Sequence, residues 1–228
     1  MKIAIVGAGY QGLVTGTCFA ENGHQVIGVD RDAERIQLLN AGNSPLHEPG
    51  LEELIARNLE EERLEFTTDL GDAVRRSLMV ILCVGTPADE QGRTDLSGIL
   101  ASAKEIAGNM DGYRIIVNKT TCPPGTAEAI ANTLSAHSSH PFDVVVNPDF
   151  MKEGTAVDDF LRPDRVVVGC DDVRVREMMK ELYGPFLRTG KPFITMRWRS
   201  AEMAKYATNV MLASRISLMN QLADLCES

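Results

Sequence analysis

No stretch of this 228-residue chain approaches the ~20 consecutive apolar positions of a membrane-spanning helix. Basic charge is also scarce: twenty-three Lys and Arg stand against thirty-two Asp and Glu, a net charge of -9. Nucleic acid and anionic membrane surfaces both require a positive field, so neither is expected as a partner. An anionic small molecule held by backbone amides and a few local lysines stays open. Metal-ligand spacing is missing too. Cys18, Cys83, Cys122, Cys170 and Cys226 lie 39 or more residues apart with no CxxC pair. Most sit in apolar runs, so they read as reduced, packed thiols and no metal is expected. The chain enters a strand pattern at its first residues, without a charged leader ahead of an apolar core. The expected location is cytoplasmic.

The residues that are there alternate between two periods. Short β-branched runs occur at 3–6, 25–29, 78–84, 114–118, 142–146, 165–169 and 192–196. Helical patterns lie between them at 10–22, 33–41, 51–59, 96–109, 125–136 and 173–183. Apolar strands alternating with helices predict an α/β fold, a Rossmann-like doubly wound and mostly parallel sheet with helices on both faces. The last thirty residues differ. Ser200 can cap a helix there, and the pattern then runs to Ser228 with neither Gly nor Pro. This predicts two parts: residues 1–198 as a dinucleotide-binding domain, and 199–228 as the start of a long central helix cut before its end.

Gly7-Ala8-Gly9-Tyr10-Gln11-Gly12 follows the first strand and opens the first helix, and Asp30 stands eighteen residues further on, at the end of the second strand. The glycines permit a tight turn, close approach of a pyrophosphate and close helix packing, while the helix N-terminus favours negative charge. Asp30 suits a ribose 2′-hydroxyl and repels a 2′-phosphate, which selects NAD over NADP. Arg35 lies near enough to touch the adenosine ribose or the phosphates. Thr86 and Thr121 each follow a strand and should face the same crevice. After the 142–146 strand comes Asn147-Pro148-Asp149-Phe150-Met151-Lys152-Glu153-Gly154, two carboxylates and a lysine in a loop of the kind where open α/β sheets place ligands. Taken alone, such a loop is more often a solvated turn, and Lys205 with Asn209 more often a surface pair one helical turn apart.

Seven ordered segments change that weighting: GxGYxGLVTG with Asp30, HEPGL (47–51), CVGTP (83–87), KTTCPPGT (119–126), NPDFMKEG (147–154), DFLRPDRVVVG (159–169) and SAEMAKYATN (200–209). Together they resemble the nucleotide-sugar dehydrogenases, the family of UDP-glucose and GDP-mannose dehydrogenases, along the whole chain. The resemblance implies oxidation of a sugar 6-hydroxyl to a carboxylate by two molecules of NAD, through a cysteine-bound thiohemiacetal and thioester. UDP-glucose is then the expected substrate and UDP-glucuronate the product, with GDP-mannose or another nucleotide sugar as the alternative. It further implies that Glu153 activates the hydrolytic water, that Thr121 and Asp149 help hold it, and that Lys205 and Asn209 stabilise oxyanion charge. Phe150, Met151, Lys152 and Glu153 would line the sugar-nucleotide site with Asp149, Lys205 and Asn209. Tyr10, Gln11, Thr86, Thr121 and Glu153 would join Gly7, Gly9, Gly12, Asp30 and Arg35 around NAD.

Three positions depart from the family pattern: Asp149 stands where Glu is usual, and Gln11 and Cys122 where Val is common. The family's nucleophilic cysteine belongs to a GxxCFPKD-type segment that is not found in these residues, and neither Cys122 nor Cys226 has that context. The chain alone is therefore expected to bind NAD without turning over, and the complete enzyme to be a homodimer. A non-catalytic NAD-sensing module is the competing expectation. Such a module needs the glycine loop and Asp30 but has no use for Glu153, Lys205 and Asn209.

Overall fold

A computed structural model describes residues 1–187 and 190–227. Its strands are β1 (Lys2–Val6), β2 (Gln25–Val29), β3 (Leu64–Thr67), β4 (Met79–Leu82), β5 (Arg114–Asn118), β6 (Phe142–Val146), β7 (Val166–Gly169) and β8 (Phe193–Met196). Between them lie α1 (Tyr10–Glu21), α2 (Ala33–Asn40), α3 (Leu51–Glu60), α4 (Leu70–Arg76), α5 (Ser97–Asn109), α6 (Thr126–His137), α7 (Ala156–Leu161) and α8 (Val173–Tyr183), and α9 (Trp198–Glu227) follows β8. The sheet order is β3-β2-β1-β4-β5-β6-β7-β8. From β1 the chain builds outward through β2 and β3, then returns to place β4 on the other side of β1. That reversal opens a crevice beyond the carboxyl ends of β1 and β4, where doubly wound sheets take their ligands.

The strands read as continuous apolar runs because both faces are covered. In β1, Ile3 and Ile5 pack into one core with Phe19 and Leu39, while Ala4 and Val6 pack into the other with Ile99 and Ile130. Met79 and Ile81 of β4 alternate with Val80 and Leu82 in the same way. The first core includes an aromatic cluster: Phe19, Phe160, Tyr183 and Phe186 meet edge to face or tilted, at centroid distances of 5.1–6.1 Å. It binds α1, α7 and α8 together beneath the loop that leaves β6.

Two strands, β7 and β8, are parallel to each other and run against the other six. β7 pairs antiparallel with β6 through Val146 and Gly169, so most of β7 lies beyond the end of β6, beside the 147–150 segment. β3, α4 and α7 do not show as periodic patterns in the sequence. At four, seven and six residues they are too short to display a period, and packing alone holds them. Ser200 is not the cap of the last helix. α9 begins at Trp198, whose indole N–H donates to Val144 O at 2.9 Å, so docking on β6 sets the start. Ser228 lies outside the described residues. Among the described residues, no helix is long and apolar enough to cross a membrane.

Candidate functional site

The β1–α1 turn is built for a close-lying anion. Gly7 has φ +102°, and a Cβ there would stand 2.5 Å from Cys83 O. A Cβ on Gly12 would come within 1.8 Å of Gly7 O, so α1 can approach the turn only as glycine. Gly9 is different: a Cβ would meet nothing within 4 Å, which leaves open space over the helix N-terminus. No side chain caps that terminus and no acidic residue occupies the first turn, so its N–H groups are available to a phosphate. Asp30 closes the other end. Its carboxylate accepts from Ala8 N at 2.8 Å and Asp32 N at 3.0 Å, and pairs with Arg35 Nη1 at 3.2 Å. Gly7, Gly9, Asp30 and Arg35 line a cavity of about 250 Å³. A glycine cradle, a bare helix N-terminus and a held carboxylate together fit a dinucleotide.

A second cavity, of about 440 Å³, starts at Gly9, Tyr10 and Gln11. Thr86 and Thr121 form its far wall, with the Thr86 hydroxyl donating to Thr121 O at 3.0 Å. Asp149, Met151 and Glu153 enter from the loop after β6, and Lys205 and Asn209 from α9. A third cavity, of about 510 Å³, shares Asp149, Met151, Lys205 and Asn209 and adds Phe150 and Lys152. There Arg165 stacks on Phe150 at 4.0 Å, with Lys205 Nζ 5.5 Å from the same ring. Lys152 sits at the rim, its amide and ammonium both turned to Asp159. Asp149 forms an ion pair with Lys205 at 3.4 Å.

α9 reaches this site because its first turns are locked down. Gly169 lets it lie on β7, since a Cβ there would meet Ala201 Cβ at 2.9 Å. The buried Glu202 carboxylate accepts from Gly125 N at 2.7 Å and Ala127 N at 2.8 Å, capping α6 just after the Thr121 loop. Burial raises the pKa of Glu202 against the pull of those two N–H bonds. Beyond Asn209 the helix stands exposed, with Val210, Leu218 and Leu225 among its bare apolar side chains.

Three side chains act here without having shown in the sequence, and a fourth has a partner that spacing did not foretell. Gln11, expected around NAD, donates its side-chain amide to Lys119 O at 2.8 Å. Lys119 is itself buried, with its ammonium near Asn147 Oδ1 at 3.4 Å and the Tyr183 hydroxyl at 3.5 Å. Glu48 accepts from the Tyr10 hydroxyl and from Gly154 N, and Glu202 is the α6 cap. The only hint was that Lys119, Glu48 and Glu202 fall inside segments of the family pattern. Cys122 is buried, and burial pushes its thiol up to about 11, as a packed side chain requires.

Residues 1–187 match the profile described as "UDP-glucose/GDP-mannose dehydrogenase family, NAD binding domain", and residues 199–228 match that family's central domain. A UDP-glucose 6-dehydrogenase of Rhizobium meliloti is 45% identical over all of this chain and 53% of its own length. One from Pseudomonas aeruginosa is also 45% identical, over 99% of this chain and 51% of its own length. Among solved structures, a GDP-mannose dehydrogenase from Pseudomonas aeruginosa superposes with a TM-score of 0.92 at 35% identity, covering 96% of this chain and 52% of that one. The chain thus spans about half the length of the curated relatives it matches.

Proposed function

The chain belongs to the UDP-glucose/GDP-mannose dehydrogenase family, and we propose that it forms the cofactor half of an enzyme that oxidises the 6-hydroxyl of UDP-glucose to the carboxylate of UDP-glucuronate. Residues 1–198 bind NAD, and 199–228 open the central helix, through which the whole protein dimerises. The preference for UDP-glucose over GDP-mannose is supported by the two 45%-identical relatives named UDP-glucose 6-dehydrogenase. A cytoplasmic setting is supported by four buried, unpaired thiols.

The observation that carries this reading is the 440 Å³ cavity, in which the glycine loop, Thr121, Glu153, Lys205 and Asn209 meet. A sensor that only binds NAD has no use for that convergence. Bound NAD supplies the hydride acceptor. The N–H groups at the start of α1 would hold its pyrophosphate, Asp30 its ribose hydroxyls, and Arg35, Thr86 and Thr121 would make the remaining polar contacts. Lys205 and Asn209, one turn apart on α9, direct an ammonium and an amide at the sugar oxygen that gains negative charge. Glu153 takes a proton from the water that hydrolyses the thioester left by the two hydride transfers, which releases the carboxylate and the thiol of the intact protein, with Thr121 and Asp149 steadying that water. Phe150, Met151 and Lys152 line the sugar-nucleotide side.

Calorimetric titration of this chain should show saturable binding of NAD and, because Asp30 repels a 2′-phosphate, binding of NADP at least about tenfold weaker. The intact protein, offered UDP-glucose, GDP-mannose and N-acetylated UDP-hexoses, should release NADH fastest with UDP-glucose. This chain alone should release none. Failure to bind NAD, or a preference for GDP-mannose, would reject the reading.

A further inference from the structure

Glu48 is a carboxylate with only 6% of its surface exposed, on the loop that precedes α3. Nothing in the reaction outlined above uses it. Its Oε2 accepts from the Tyr10 hydroxyl and from Gly154 N at 2.8 Å, and its Oε1 accepts from Val157 N at 3.4 Å. The Tyr10 hydroxyl oxygen also accepts from Gly154 N, at 3.0 Å. Burial alone would raise the Glu48 pKa, but these donors outweigh it and hold the group below the ordinary glutamate value. The carboxylate is therefore charged and fully engaged at neutral pH.

The positions of these partners give the contact its meaning. Tyr10 is the first residue of α1, in the uncapped turn whose N–H groups would hold the pyrophosphate. Gly154 follows Glu153 directly and has φ +88°, so the backbone beside Glu153 turns sharply at a point that Glu48 grips. Two segments far apart in sequence converge on one carboxylate carried by a third. We propose that Glu48 is a positioning residue that couples cofactor binding to the placement of Glu153. Pyrophosphate fixes the first turn of α1, which fixes the Tyr10 hydroxyl, and Glu48 passes that order to the Gly154 amide. The coupling is reciprocal: a ligand that orders the 147–157 loop tightens NAD binding by the same factor. Its catalytic consequence rests on the reading of Glu153 as the water-activating group. The mechanical link does not.

A simple cap on α7 makes a different prediction, because capping needs Glu48 but not Tyr10. Tyr10→Phe removes the hydroxyl and leaves both backbone N–H groups on Glu48. The test is amide hydrogen exchange on the full chain with and without saturating NAD, comparing the 9–12 turn with Gly154 and Val157. NAD should slow exchange at both places, by at least about fivefold at Gly154 and Val157, and in Tyr10→Phe only the 9–12 turn should respond. Glu48→Gln should also lose the distant response and exchange faster at Gly154 without NAD.

Retention of the NAD response at Gly154 in Tyr10→Phe would overturn the coupling and leave a cap. A wild-type chain protected at 9–12 but not at Gly154 would overturn it as well. Absence of protection at 9–12 would remove the cofactor reading and this inference together. Unchanged turnover in Glu153→Gln of the intact protein would remove only the catalytic consequence.

Discussion

Lys205 Nζ lies 3.4 Å from Asp149 Oδ1, with the two side chains 12% and 14% exposed. The pair joins α9 to the loop after β6 across the floor of both catalytic-side cavities. Phe150 shields it on one side, with Lys205 Nζ 5.5 Å from the ring. Asp149 thus holds the ammonium at the edge of the cavity, the position that the proposed role of Lys205 as an oxyanion donor needs.

Lys205→Ala in the intact protein should lower kcat by about 10²–10³-fold, the usual cost of losing one oxyanion donor. Binding of NAD should stay within about threefold, because Lys205 is not among the residues that line the Asp30 cavity. Steady-state kinetics and a fluorescence titration of NAD separate the two effects. Unchanged turnover would favour the sensor.

Gly9 and Gly12 should respond in opposite ways to the same added methyl. Gly9→Ala places a Cβ in open space, so the thermal midpoint should hold within about 2 °C while NAD affinity falls about tenfold or more, the methyl occupying the pyrophosphate's approach. Gly12→Ala drives a Cβ to 1.8 Å from a backbone oxygen. That should lower the midpoint by roughly 5 °C or more, even without ligand. Thermal melts paired with calorimetry check both, and equal destabilisation of the two variants would contradict the geometry.

Glu48 makes stability acid-sensitive, with a definite sign. Its folded pKa lies below the reference value of 4.5, so its contribution is fully present above that value and disappears as pH falls through the folded one. Tyr10, which faces it, is pushed up to about 12 by burial first and Glu48 second, and stays neutral throughout. The wild-type midpoint should fall below about pH 4.5 more steeply than that of Glu48→Gln, which should already be lower at pH 7. Melting curves across pH 3–7 show whether the two slopes differ; parallel slopes would sink the assignment.

Much of this was readable from residue order alone. The expected strands at 25–29, 114–118 and 142–146 coincide with β2, β5 and β6, because runs buried on both faces announce themselves by composition. The glycine loop was legible from its spacing, since Gly7 and Gly12 answer steric demands only a few residues or one strand away and Gly9 leaves the space a phosphate needs. Lys205 and Asn209 could be paired from their spacing on one helix. Short elements were not legible: β3, α4 and α7 carry too few residues to show a period and are held by what they pack against.

The reach of a signal along the chain divides the two sources. Composition, periodicity and local motifs carried the α/β class, the cofactor loop and the family, because each depends on near neighbours. The linkages 10–48–154, 11–119 and 202–125 could not be read that way. Apart from the Tyr10–Glu48 bond, they join side chains to backbone groups that any residue would present, so no residue type marks the partner. Folding alone put Asp149 against Lys205, turned β7 back beside the 147–150 segment, and buried Glu48 where two loops meet. Sequence supplied the chemical groups, and the antiparallel turn of β7 with the docking of α9 gave them a common cavity, because distances between remote segments are set by packing.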